Sequence, residues 1–265
     1  MRLKIAWLIG LLLLGGCATP GKQSYLTANT QKEQKLMDEE TEIKFGNYID
    51  AEIQNEYMVL NNSELQQKLL PIFNRIVANS DRSNLSYKLT ILNSNDINAF
   101  AGAGGYVYVT TGLLDIIKNK DEFAGVMAHE IGHISARHLI KRFYGVENTK
   151  GILTVFSVLA AVGSAASTGD TSMGGAMSDL VSVVAVISLQ GYSRQDELQA
   201  DSLAVKYTKK AGYDPLATFS LLKRAQELKE KETGQKSVYT ILSSHPPVKD
   251  REENARMQLE FLNSR

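Results

Sequence analysis

The chain of 265 residues holds a single cysteine, Cys17, so no disulfide can close within it and the fold must stand without one. Histidine is scarce too, with only four: His129, His133, His138 and His245. Neither sign of charge is in excess, since 29 Lys and Arg face 29 Asp and Glu. Overall charge therefore points to no nucleic acid and no anionic surface as partner. No solenoid-type repeat recurs. Apolar runs exist, but each falls short of the roughly 20 residues that a helix needs to cross a bilayer. What is present in quantity is hydrophobic side chain, 43% of residues, enough for one sizeable core in a chain too short for several large domains.

The start of the chain reads as a targeting segment. Met1-Arg2-Leu3-Lys4 is basic and Ile5 to Leu14 is a short apolar run, which predicts a secretory signal over residues 1–16. It ends in Leu14-Gly15-Gly16-Cys17, which resembles the lipobox of bacterial lipoproteins and implies lipidation of Cys17. Ala18 follows, where lipoproteins kept in the inner membrane carry Asp; the resemblance implies an outer-membrane anchor with the folded part facing the periplasm. Residues 17–30 are polar and lack apolar periodicity, so they read as a tether. Residues 31–265 are then one domain.

Within that domain the pattern is α+β and mainly helical. Leu36, Ile43, Ile49, Ile53 and Tyr57 recur as one helix face, and a second amphipathic stretch runs from Ser63, its expected cap, to Val77. Residues 87–92 and 106–110 alternate as strands, separated by the Gly-rich turn Ala101 to Gly105, where another backbone can approach closely. That turn lacks the spacing of a nucleotide loop. A helix is expected from Asp121 to about Phe143, with others over 193–211, from beyond Pro215 to about Glu232, and after Pro247. Gly151 to Val162 and Ala176 to Leu189 are apolar and read as buried or substrate-lining helices; a region resting on a bilayer is the alternative.

The principal motif is His129-Glu130-Ile131-Gly132-His133, the zinc pattern His-Glu-x-x-His. On a helix the two imidazoles lie one turn apart and reach a single ion, while Glu130 flanks it as general base. His138, five positions beyond His133, points away from that face if the helix continues, and reads as a surface or supporting histidine. A catalytic zinc takes three protein ligands and keeps one open position. The extended pattern with a third histidine requires Gly and His at positions 136 and 139, where this chain has Ala136 and Leu139. The third ligand must come from farther on: Glu197 and Asp201 lie four apart on another helix, the first able to ligate and the second to orient an imidazole.

With these residues the chain resembles the HtpX and CAAX-prenyl-endopeptidase family of zinc peptidases, in its bacterial lipoprotein branch. The likeness runs from Asn98 to His245 through Asn98-Ala99-Phe100-Ala101, Gly105 to Leu114, the His129 to His133 motif and Ser193-Arg194-x-x-Glu197-x-x-Ala200-Asp201. It implies a zincin-like domain with a small sheet, one zinc held by His129, His133 and Glu197, and Asp201 and Arg194 supporting the ligands. Quality control of unfolded or misfolded envelope proteins is the implied role. Ala101-Gly102-Ala103 departs from the bulkier or Pro-containing sequence usual before the paired glycines, so substrate preference does not carry over. Asn98, Ala99, Phe100, Val107 and Tyr108 are the expected substrate-binding residues, through main-chain pairing if residues 107–110 form an edge strand; an ordinary sheet member is equally open. His245, stiffened by Pro246 and Pro247, is either structural, as a histidine in a Pro-rich turn usually is, or lies by the zinc, where it would donate to the oxyanion or fill the open position. A metal-dependent chaperone that binds without cutting is the competing function, and Glu130 speaks against it.

Overall fold

A computed structural model describes residues 37–145, 191–231, 241–245 and 251–265. The expected signal segment, Cys17, the tether, the apolar stretches 151–162 and 176–189, and Pro246 and Pro247 lie outside the described residues. Helix α1 (Glu39–Glu56) starts where Asp38 accepts the Thr41 N–H at 2.8 Å, with Glu39, Glu40 and Glu42 complementing the helix dipole. Its buried stripe is Glu42, Phe45, Gly46, Ile49 and Asp50, so of the predicted face Ile49 is buried, Ile43 and Ile53 are half-buried and Tyr57 is exposed. Two buried carboxylates displace the apolar pattern because each has partners: Glu42 pairs with Arg82 and Arg137, and Asp50 with Lys88 and the Tyr108 hydroxyl. Helix α2 (Ser63–Ala78) is capped by Asn62, one residue before the expected Ser63.

Strands β1 (Lys88–Leu92), β2 (Ala99–Ala101) and β3 (Tyr106–Thr110) form one sheet in the order β1-β3-β2. β3 is parallel to β1 and antiparallel to β2, with Val107 opposite Leu89 and Ala101. Of the two alternatives open for residues 107–110 the structure has the ordinary sheet member: β3 is the middle strand, and Val107 and Tyr108 are buried in the sheet. Val59 bridges Leu92 on the outer side of β1. The Gly-rich turn is a tight 3-10 turn at Ala103–Gly105, with Gly104 at φ 69° and Gly105 at φ 101°. The backbone that approaches it belongs to α1: a Cβ on Gly46 would lie 2.3 Å from the Ala103 carbonyl oxygen.

A short helix α3 (Thr111–Ile116) leads to α4 (Lys120–Ser135), whose N-cap Asn119 accepts the N–H groups of Asp121 and Glu122. Residues on every side of α4 are buried, so it is the axis of the domain. The helix predicted to run on to Phe143 is broken: α4 stops at Ser135, Arg137 takes φ 56°, and α5 (His138–Gly145) begins in a new direction. Helix α6 (Arg194–Ala211) opens with a Ser193–Asp196 capping box and closes at Gly212, φ 76°. It packs along α4 so closely that a Cβ on Gly132 would lie 3.0 Å from the Ala200 carbonyl oxygen. Helix α7 (Ala217–Lys231) covers another side of α4, a short helical turn α8 (Ile241–Ser244) follows, and α9 (Arg251–Asn263) packs on α6. No described helix is long and apolar enough to cross a membrane.

Candidate metal centre

Helical spacing puts His129 and His133 on one side of α4, their Nε2 atoms 3.0 Å apart. From α6, Glu197 brings Oε2 to 3.4 Å of His129 Nε2 and Oε1 to 3.6 Å of His133 Nε2. His245, just past α8, sets Nδ1 at 2.9 Å from Glu197 Oε1 and 3.2 Å from His129 Nε2. One ligand atom from each of these four buried residues lies within 4.8 Å of the others. The outward nitrogens suit the cluster to a cation. His129 Nδ1 is 3.0 Å from Asp201 Oδ1, and His133 Nδ1 faces His138, so protons on the Nδ1 atoms leave two Nε2 lone pairs turned on each other. A metal ion relieves that arrangement and engages the Glu197 carboxylate beside both rings. Two imidazoles and a carboxylate, with a third imidazole beside them, are zinc-type donors, and the residues fit that ion.

The electrostatics point the same way. Burial disfavours the charged form of His129, but hydrogen bonds to Asp201 and Glu197, and their charge, outweigh it and push its pKa up to about 10. Burial and the charge of His129 then hold His133 well below the usual imidazole range. Burial works to raise Glu197 and Asp201, yet cationic neighbours keep both below the ordinary carboxylate range: His245 and His129 for Glu197, Arg251 and His129 for Asp201. Glu130 is 0% exposed, and neither of its oxygens has a hydrogen-bond partner among the described residues; His245 Nε2 stands 3.4 Å from Oε1. Tyr192 stacks on His133, centroids 3.9 Å apart, and walls that side of the centre.

The structure thus brings together His129, Glu130, His133, Glu197, Asp201 and His245. Arg194 is exposed at the first position of α6, and the cation against the two carboxylates is one the sequence reading did not name. Arg251, 4% exposed on α9, forks onto Asp201 through Nε (2.7 Å) and Nη2 (2.8 Å), while Nη1 is 3.0 Å from Glu197 Oε2. A lone Arg in a helix with many charges carries no local signal of burial. Of the two places expected for His138 the surface is excluded: it is buried against His133, in spite of the five-residue spacing. Of the expected substrate residues, Asn98 and Ala99 are buried at the start of β2 and Phe100 is half-buried, stacked on Tyr108 at 4.8 Å. Ile97, just before them, accepts the N–H of Ile241, which ties this strand to the turn that carries His245.

Comparison with known proteins agrees with this geometry. Residues 61–258 match the model of peptidase family M48. The chain is 26% identical over 223 residues to the beta-barrel assembly-enhancing protease of Escherichia coli (strain K12), covering 81% of this chain and 43% of that protein. It is 27% identical over 198 residues to metalloprotease YcaL of the same organism, 74% of this chain and 70% of the relative. To the mitochondrial metalloendopeptidase OMA1 of Arabidopsis thaliana it is 29% identical over 203 residues, 76% and 38% respectively. The chain spans under half the length of the first and last of these.

Proposed function

This chain belongs to peptidase family M48, and from that premise we propose that it is a zinc-dependent endopeptidase, held in the bacterial envelope by a lipid on Cys17 and acting on unfolded or misassembled envelope proteins. The observation that carries the reading is Glu130. A buried carboxylate without hydrogen bonds costs about 1–3 kcal/mol or more, and this one, which has none among the described residues and only His245 at 3.4 Å, stands beside converging metal donors. Its setting suits a proton acceptor.

His129, His133 and Glu197 would hold the ion and leave a position open. Zinc supplies Lewis acidity there, acidifying a water and polarising a carbonyl. Glu130 takes the proton of the attacking water and delivers it to the leaving amine, so hydrolysis runs without a covalent intermediate. Asp201, 3.0 Å from His129 Nδ1, keeps that nitrogen protonated and Nε2 turned to the ion. Substrate lies along β2, whose outer edge no strand among the described residues covers, and main-chain pairing there tolerates many sequences. Such pairing favours unfolded chains, in keeping with the assembly-enhancing protease among the relatives. Of the two roles open to His245, its short distances to Glu197 and His129 support the occupant of the open position, which restrains the resting protein.

Purified full-length protein should cleave casein, lose that activity to a chelator and regain it with zinc. His245→Ala should cut faster. Glu130→Gln should keep its zinc while turnover falls about 100- to 10,000-fold. Casein left intact by zinc-loaded parent and His245→Ala alike would overturn the reading in favour of a chaperone that binds without cutting.

A further inference from the structure

His138 has no task in the mechanism above, yet it is 1% exposed and its Nδ1 lies 2.9 Å from Nδ1 of His133. Two nitrogens at that distance share one proton. His133 turns Nε2 toward the other ligand atoms, so a neutral His133 that gives Nε2 to a metal carries its proton on Nδ1. His138 Nδ1 must then accept, which leaves the proton of a neutral His138 on Nε2. That N–H has acceptors waiting on the first turns of α6: Gln199 Oε1 at 2.9 Å and Asp196 Oδ1 at 3.5 Å. Every group in the row is satisfied in one direction only, from His133 through His138 to α6. The reverse direction would need His133 to accept on Nδ1 while giving Nε2 to the ion, which requires an imidazolate.

The backbone goes out of its way to build this row. In a continuous helix, residue 138 would sit well round the axis from residue 133. Instead Arg137 adopts a left-handed conformation, rare and costly for a residue with a β-carbon, on the order of 1–3 kcal/mol. It is held there from outside: Arg137 Nε is 2.8 Å from the buried Glu42 carboxylate of α1, and its Nη2 donates to the Met37 carbonyl. Strain fixed by a distant helix persists where its product is used. Its product is the return of His138 onto His133.

We propose that His138 is a positioning residue for the metal centre: it accepts the Nδ1–H of His133, locks that ring with Nε2 facing the ion, and passes the constraint to Gln199. The inference rests on the zinc reading and concerns metal affinity rather than the chemical step. His138→Leu keeps the apolar bulk and removes the acceptor; His138→Asn restores an acceptor near the place of Nδ1. Zinc dissociation constants of the full-length parent and both variants, measured against a competing chelator, should show a loss of about 10- to 100-fold for His138→Leu, with His138→Asn within a few-fold of the parent. In the zinc-loaded parent labelled with 15N-histidine, NMR should find His138 neutral with its proton on Nε2. A parent that binds zinc as tightly as His138→Leu, or a His138 protonated on Nδ1, overturns the proposal. A parent that binds no zinc overturns the metal reading and this with it. Should His138→Leu fail to fold, the tautomer of the parent and the affinity of His138→Asn decide.

Discussion

His129 and His133 stand one turn apart on the same helix, and they are held by opposite chemistries. His129 is backed by a charged arm, in which Asp201 meets its Nδ1 and Arg251 forks onto Asp201 from α9. His133 is backed by a neutral side chain, His138, which hydrogen-bonds Gln199 and has the part-exposed Asp196 only at its far end, 3.5 Å away, with Tyr192 stacked on the His133 ring. The difference keeps the charge of the site in bounds. A buried anion directly on His133 Nδ1 would add to Glu130, Glu197 and Asp201 in a space with one permanent cation, Arg251, among the described residues; Asp196 stays one ring farther out. A charged arm is strong and leaves an unpaired ion if one member is lost; a neutral arm is weaker and fails gently.

The largest test breaks the charged arm. Arg251→Leu leaves Asp201 and Glu197 as buried anions without their guanidinium, so the metal-free protein should lose about 3–5 kcal/mol in denaturant unfolding. Zinc added before unfolding should recover part of the loss, because the ion replaces a missing positive charge. Asp201→Asn is milder. It keeps shape but loses the anion behind His129, and zinc affinity should fall by about 10- to 100-fold. If Asp201→Asn costs less affinity than His138→Leu, the assignment of the stronger arm is reversed.

A smaller effect comes from an ion pair remote from the centre, which isolates what charge alone contributes. Glu122, buried at the start of α4, is bracketed by Arg224 at 2.8 Å and the Lys118 N–H, and Arg224 holds its carboxyl below the ordinary value of 4.5. A depressed carboxylate pKa stabilises the fold above the unfolded value and loses that contribution as pH falls through the folded one. Glu122→Gln should therefore lower stability by about 1–3 kcal/mol at neutral pH, with the gap to the parent closing below pH 4.5. A gap independent of pH would show that shape, not charge, is what Glu122 provides.

The two arms also differ in how far they could be read in the sequence. Glu197 and Asp201 are four apart on α6, so one helix face presents both, and the carboxylate of the charged arm was legible from spacing, whereas its Arg251 was not. The neutral arm was not, because it depends on the break at Arg137. No Gly or Pro marks that break, and the groups that hold it, Glu42 and Met37, lie about a hundred residues upstream. The strands at 88–92 and 106–110 were legible from alternation, whereas their order was not: that β3 is flanked on both sides follows from where β2 returns, a non-local fact. In α1 the buried carboxylates broke the apolar stripe, and only their partners from β1, β3, the break at Arg137 and the residues after α2 make sense of it.

The near-contact of Gly132 with Ala200 bears on what the motif leaves unstated. In His-Glu-x-x-His the two middle positions are written as free, but here they are not interchangeable. Ile131 fills the core, while Gly132 is the point where α6 leans on α4. Ala200 sits between Glu197 and Asp201 on α6, so this crossing acts as a gauge block: its thickness sets the gap across which both carboxylates reach the imidazoles. A single methyl at position 132 would meet the Ala200 carbonyl oxygen at 3.0 Å and its Cα at 3.3 Å, and α6 would have to give by a few tenths of an ångström. That displacement would fall on Glu197 and Asp201 at once, since both ride on α6. The smallest residue in the motif is thus a dimension of the site.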